Sequence, residues 1–346
     1  MEFTDSFLAT GIGSIPHQNE ENALDFLLQC FPAIPFWPQL PQRSFLEGMV
    51  AQYSEGFPSL RIDEKSQKIW IDTSHGFEQE VERFYQWVEE GAVEPFRISK
   101  GRARGLRMLE ILASEKHRKA IKFVKGQVTG PITFGLALTD QEQRPIFYDP
   151  TLKDILIKHI SSKARWMEKE FHDVLPGTET ILFFDEPSLS TYGSAFSSLN
   201  REDTVLALNE CFDSVKGLKG VHCCGNTDWS LLLETRLDIL SFDAYEYLDT
   251  LSLYPEELKG FLSRGGILAW GIVPTSEAIL KEDAQSLLKR FKEGVATLTQ
   301  KGIDSELLRR AILTPSCGTA SLSVPLAERV FQVTAEVSRR LREVQP

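Results

Sequence analysis

Through the C-terminal two-thirds of the chain, short apolar runs alternate with longer amphipathic stretches, and each apolar run stops at a polar cluster. The apolar runs read as strands at Ala120 to Gly126, Thr180 to Phe184, Lys219 to Cys224, Leu237 to Phe242, Gly266 to Ile272 and Ala311 to Thr314. Between them the 3.6-residue period predicts helices over Leu152 to Phe171, Glu202 to Val215, Trp229 to Thr235, Pro255 to Ser263, Lys281 to Gln300, Ser305 to Arg310 and Pro325 to Glu343. Asn200 is placed to cap the second of these. Strands alternating with helices of this length predict βα units on a parallel sheet.

The N-terminal third is less regular. Phe7 to Gly13 reads as a first strand, Asn19 to Cys30 and Phe77 to Glu90 as helices, and Leu60 to Asp63 with Lys68 to Asp72 as a β-hairpin around Glu64-Lys65-Ser66-Gln67. The expected fold is α/β, a closed (β/α)8 TIM barrel with this hairpin as an N-terminal insertion, and residues 1–346 forming one domain. A barrel is preferred to an open doubly wound sheet because the polar clusters follow strand after strand. Only a ring of strands brings such ends to one mouth.

Composition narrows the function classes. The chain is 42% hydrophobic and 25% charged, a globular balance, and its net charge is -11. That charge argues against nucleic acid or an anionic membrane as a partner. No run of eighteen apolar residues predicts a membrane span. Met1 to Thr10 shows neither the basic nor the apolar region of a signal peptide. The five cysteines are odd in number and two are adjacent, so free thiols in a reducing cytoplasm are expected.

The candidate chemistry lies at strand ends. His222-Cys223-Cys224 closes one apolar run, and Cys317 follows another in Thr314-Pro315-Ser316-Cys317-Gly318. Residues two apart on a strand share a side, so His222 and Cys224 point together and Cys223 points away. With Cys317 they form an imidazole–dithiolate set suited to Zn2+, with Asp243 or Glu246 as a fourth ligand. Taken singly, these residues would read as a core histidine and small buried hydrophobes. Asp185-Glu186-Pro187 offers two carboxylates that either hold a substrate ammonium or match a helix dipole. Gly11-Ile12-Gly13-Ser14-Ile15-Pro16 lacks the dinucleotide fingerprint and reads as a tight turn whose NH groups suit a carboxylate. Thr129-Gly130-Pro131 is a further turn.

Taken in order, Gly13-Ser14-Ile15-Pro16, Thr129-Gly130-Pro131, Asp185-Glu186-Pro187, His222-Cys223-Cys224 and Pro315-Ser316-Cys317-Gly318 resemble the catalytic barrel of cobalamin-independent methionine synthase. That superfamily also holds uroporphyrinogen decarboxylase and the corrinoid-dependent thiol methyltransferases. His222 to Thr227 is similar to the His-x-Cys-Gly-Asn stretch of the corrinoid:coenzyme M enzymes. The resemblance implies a zinc-dependent methyltransferase acting on a small-molecule thiol, foremost homocysteine. A methyl-corrinoid protein or methyltetrahydrofolate would be the donor. It implies His222, Cys224, Cys317 and Asp243 as zinc ligands, Asp185 at the substrate ammonium, Ser14 at its carboxylate, and Glu186 and Glu47 as further substrate-binding acids.

Two departures accompany it. The 346 residues hold no second barrel, and Gly271-Ile272-Val273-Pro274-Thr275 lacks the histidine usual in that loop. Both tilt the expected donor toward a methylated corrinoid protein. Decarboxylation of a porphyrinogen is the rival on the same fold, and the acidic balance and the His/Cys/Cys set disfavour it. A zinc-binding barrel without catalysis is the rival from another class.

Overall fold

The computed structural model describes residues 5–194 and 197–343, without the side chains of residues 115 and 116. The first part of the Met1–Thr10 stretch therefore lies outside the described residues. Ten strands are present among them: β1 (Leu8–Ala9), β2 (Leu60–Asp63), β3 (Lys68–Ile71), β4 (Phe123–Thr129), β5 (Thr139–Asp140), β6 (Glu179–Asp185), β7 (Leu218–Cys223), β8 (Ile239–Phe242), β9 (Ile267–Val273) and β10 (Ala311–Pro315). Seven make one curled parallel sheet in the order β1-β10-β9-β8-β7-β6-β4. Its strands are buried on both faces, which is why they read as continuous apolar runs.

The alternation along each strand sorts side chains into two cores. Ile181, Phe183, Leu218, Ile239, Ile267, Ala269 and Ile312 gather inside the curl with Leu8, Ile34 and Phe123. Their neighbours Leu182, Phe184, Val221, Leu240, Trp270 and Leu313 face the helices and belong to the larger core. Gly220 is required inside: a Cβ there would lie 2.6 Å from the Phe183 ring that fills the interior.

The expected closed eight-stranded barrel is met in part. The regular ladder ends at β1 on one side and β4 on the other, so the sheet is an open seven-stranded one. Residues 33–39 run between these edges and touch both. Phe36 bridges Lys125 of β4, and Gln39 bridges Ser14 beyond β1. Pro32, Pro35 and Pro38 explain why no ladder forms and why this segment did not read as a strand. A proline has no NH to donate, so this edge pairs only at isolated positions.

The hairpin β2–β3 has the expected antiparallel register, Leu60 opposite Ile71 and Asp63 opposite Lys68. It belongs to a separate three-stranded sheet with β5. β4 is displaced from the expected strand: it starts at Phe123 and runs on to Thr129. The polar Gln127 does not end it, because its side chain turns inward and donates to the Trp37 carbonyl at 2.8 Å. All five cysteines are free thiols. No described helix is long and apolar enough to cross a membrane.

Candidate metal and thiol site

Register brings the site residues side by side. Thr129 pairs with Asp185, Asp185 with His222, and His222 with Ser241, across β4, β6, β7 and β8. All sit at the carboxyl ends of their strands, the edge of a βα sheet where ligands bind. Cys224 follows β7 by one residue and Cys317 follows β10 by two, so neither thiol is tied to a ladder.

One ligand atom each from His222, Cys224 and Cys317 lies within 4.8 Å of the others. His222 is buried, and its Nδ1 is 3.0 Å from Ser241 Oγ. Its Nε2 is buried with no hydrogen-bond partner. A buried orphan nitrogen is costly unless a ligand satisfies it. The neighbouring Cys317, with His222, draws the Cys224 thiol well below its ordinary range, while the Cys317 thiol is pushed up. Two sulfurs beside a buried imidazole nitrogen that has no hydrogen-bond partner fit a soft divalent cation.

The fourth ligand expected from the sequence stands apart. The Asp243 carboxylate is outside that grouping and caps the helix Ala244–Leu251, accepting from the Glu246 NH at 2.9 Å. Burial pushes it up to about 6. Glu246 lies in the first turn of the same helix and is likewise outside the grouping. The two adjacent acids after β6 have different surroundings. Asp185 is buried with Oδ1 unpartnered, and burial raises it while His222 and Lys125 pull it back. Glu186 is fully buried and accepts from the backbone NH groups of Ile132 and Thr133 at 2.8 and 2.7 Å. It therefore caps the helix Pro131–Ala137, which opens at the Thr129-Gly130-Pro131 turn. The helix-dipole reading thus holds for Glu186, on a helix the sequence did not reveal. Burial still pushes its carboxyl up to about 7.

Ser14 lies against the Cys317 loop. Its carbonyl accepts from the Thr319 NH at 2.8 Å, and a Cβ on Gly318 would come within 2.1 Å of its hydroxyl. Glu47 is buried and already engaged, with Oε1 2.7 Å from Arg43 Nε and Oε2 3.2 Å from the Leu40 nitrogen. Sequence reasoning missed Lys125 and Gln127, both fully buried inside the curl. The signal was present: Lys125, Gln127 and Thr129 are polar at every second position of an apolar strand, so they share one face.

Solved structures resemble this geometry's scaffold. A B12-independent methionine synthase from Shewanella sp. W3-18-1, in complex with selenomethionine, superimposes over 98% of this chain and 98% of its own, with a TM-score of 0.56 and 16% identity. The chain has the fold of the methionine synthase-like barrels. A Listeria monocytogenes chain named as a candidate vitamin-B12-independent methionine synthase matches over 99% of this chain and 98% of its own, at TM-score 0.56 and 14% identity. A glycoside hydrolase, GH5_18 from Streptomyces cattleya in complex with GlcNAc, reaches TM-score 0.51 over 99% of this chain and 82% of its own at 10% identity. A fold shared with a sugar hydrolase does not carry an activity with it. No family model matches the sequence, and no curated protein matches it.

Proposed function

We propose that this protein is a zinc-dependent methyltransferase that moves a methyl group onto a thiol, with homocysteine as the acceptor and methionine as the product. The observation that carries the reading is the imidazole and two sulfurs within 4.8 Å, with His222 Nε2 buried and unpaired. His222, Cys224 and Cys317 would hold the ion; Asp243, whose Oδ1 caps the helix Ala244–Leu251, would have its other carboxylate oxygen to offer as a fourth ligand. Zinc bound there supplies the charge that keeps a substrate thiol deprotonated near neutral pH.

The chain's own groups do the rest. Ser241 fixes the His222 ring by its 3.0 Å contact with Nδ1, leaving Nε2 to face the ion. Of the three acids expected to bind substrate, Asp185 keeps an unpartnered oxygen, while Glu186 and Glu47 have backbone and arginine partners. The ammonium therefore rests on Asp185, and the substrate carboxylate on the Ser14 hydroxyl. Held at both ends, the thiol sulfur is oriented for in-line attack on the methyl carbon. The S–C bond forms as the donor–methyl bond breaks, and the donor keeps the electron pair. A methyl-corrinoid protein is the favoured donor and methyltetrahydrofolate the other. Another thiol, such as coenzyme M, would lose the Asp185 contact, since it has no ammonium.

The test is zinc analysis with an assay of homocysteine and coenzyme M against methylcobalamin and methyltetrahydrofolate. X-ray absorption with and without homocysteine should show a new Zn–S contact on addition. Cys224→Ser and Cys317→Ser should each lose tight zinc binding and thiol methylation. Full zinc content and activity in both variants would overturn the proposal. Zinc without any new sulfur contact would favour a non-catalytic zinc barrel.

A further inference from the structure

Lys125 is the one lysine on β4, and its side chain is fully buried inside the curl. Its Nζ donates to the Ile12 carbonyl at 2.6 Å and to Gln127 Oε1 at 3.2 Å, and lies 4.3 Å from the centre of the Phe183 ring. A buried amine is costly unless acceptors take its NH groups. These acceptors belong to a connected set. Gln127 Nε2 donates to the Trp37 carbonyl at 2.8 Å, and Tyr53 Oη donates to the Gln127 carbonyl at 2.6 Å. Gln39 donates from its side chain to Gln52 at 2.7 Å and to Tyr53 Oη at 3.1 Å.

This set carries the turn after β1. Gly13 lies flat on it: a Cβ there would stand 2.8 Å from Gln39 Oε1 and 2.9 Å from the Gln127 side chain. The Gln39 NH donates to the Gly13 carbonyl at 3.1 Å and the Ile15 NH to the Gln39 carbonyl at 2.9 Å. Pro35 and Pro38 leave this part of the sheet without a full ladder. Backbone bonds hold Gly13, Ser14 and Ile15, and at Ile12 the carbonyl takes its partner from the Lys125 side chain.

We propose that Lys125 is a positioning residue: from inside the sheet its side chain grips the Ile12 carbonyl and so sets the Gly13–Ser14 turn against the Cys317-Gly318 loop. For its effect on substrate this rests on the proposed function, in which Ser14 holds the thiol's carboxylate. The placement of the turn does not depend on it. Lys125 also draws the Asp185 carboxyl down by its charge, so the hydrogen-exchange readout at the turn, which does not involve Asp185, is the one that isolates the positioning role.

The experiment compares wild type with Lys125→Met, which keeps the length and removes the donor. Amide hydrogen exchange is the first readout, because it needs no substrate. The bonded amides of Ile15, Gln39 and Thr319 should exchange about tenfold faster or more, while those of β6, β7 and β8 keep their protection. The second readout is kinetic: KM for homocysteine should rise about tenfold with kcat within about twofold and zinc content unchanged. If Lys125→Met does not fold, Lys125→Gln, polar but too short to reach Ile12, takes its place. Unchanged exchange at the three amides would overturn the proposal. So would protection lost evenly across the sheet, or failure of both variants to fold, since either marks Lys125 as a plain core support. If wild type methylates no thiol while the selective exchange is seen, the functional reading fails and the positioning role stands.

Discussion

His222 Nδ1 and Ser241 Oγ lie 3.0 Å apart on adjacent strands, register partners in the β7–β8 ladder. With the Nδ1 proton donated to Ser241, the Nε2 lone pair is left for a cation. Ser241→Ala should therefore keep the fold and weaken metal binding by about 10- to 100-fold. Competition against a chromogenic chelator measures this. Affinity equal to wild type would mean that the ring is oriented by packing alone.

Gly318→Ala tests the approach of the two loops. The added methyl would lie 2.1 Å from Ser14 Oγ, and the hydroxyl can rotate away more cheaply than backbone can move. The expected outcome is a rise of about tenfold in KM for the amino-acid thiol, with zinc content and melting temperature close to wild type. A fall in kcat alone, with KM constant, would place Ser14 away from the ground-state substrate.

Glu186 is expected to matter for stability rather than for chemistry. Glu186→Ala removes the acceptor of two buried NH groups at the start of the helix Pro131–Ala137. Leaving them unpaired should cost about 2–4 kcal/mol by urea denaturation. Glu186→Gln keeps one acceptor oxygen and should recover part of the loss. A stable Glu186→Ala variant with abolished thiol binding would return Glu186 to the substrate.

His159 gives a pH prediction away from the metal. It is fully buried on the helix Pro150–Val174, with Nε2 2.7 Å from the Tyr53 carbonyl and Phe57, Phe84, Phe96 and Phe134 around the ring. Burial, reinforced by Lys163, depresses it from 6.5 to about 3. Between those values the unfolded chain binds a proton that the folded chain refuses. Its contribution is therefore complete above 6.5 and is lost as pH falls toward 3. The His159→Gln variant, which still offers a donor to Tyr53, should show a flatter fall in unfolding free energy across that window. Parallel curves for the two proteins would show that His159 stays protonated inside.

The sequence by itself determined the βα alternation, the hairpin pairing and the apolar strands, because burial on both faces leaves a pattern one residue long and local. It also marked His222, Cys224 and Cys317, whose donor atoms do lie within 4.8 Å of one another. Ligand chemistry is legible in residue type, and strand parity put His222 and Cys224 on one side. What only the tertiary structure decided is which polar groups are already spoken for. Glu186, Asp243 and Glu47 are carboxylates like Asp185 on paper; in the fold the first two cap helices and the third holds an arginine. The prolines hid the segment 33–39, which spans the sheet's two edges without a ladder of its own. Lys125 was hidden for the complementary reason: its acceptor on Ile12 is 113 residues away in sequence, and a contact of that range leaves no local pattern to read.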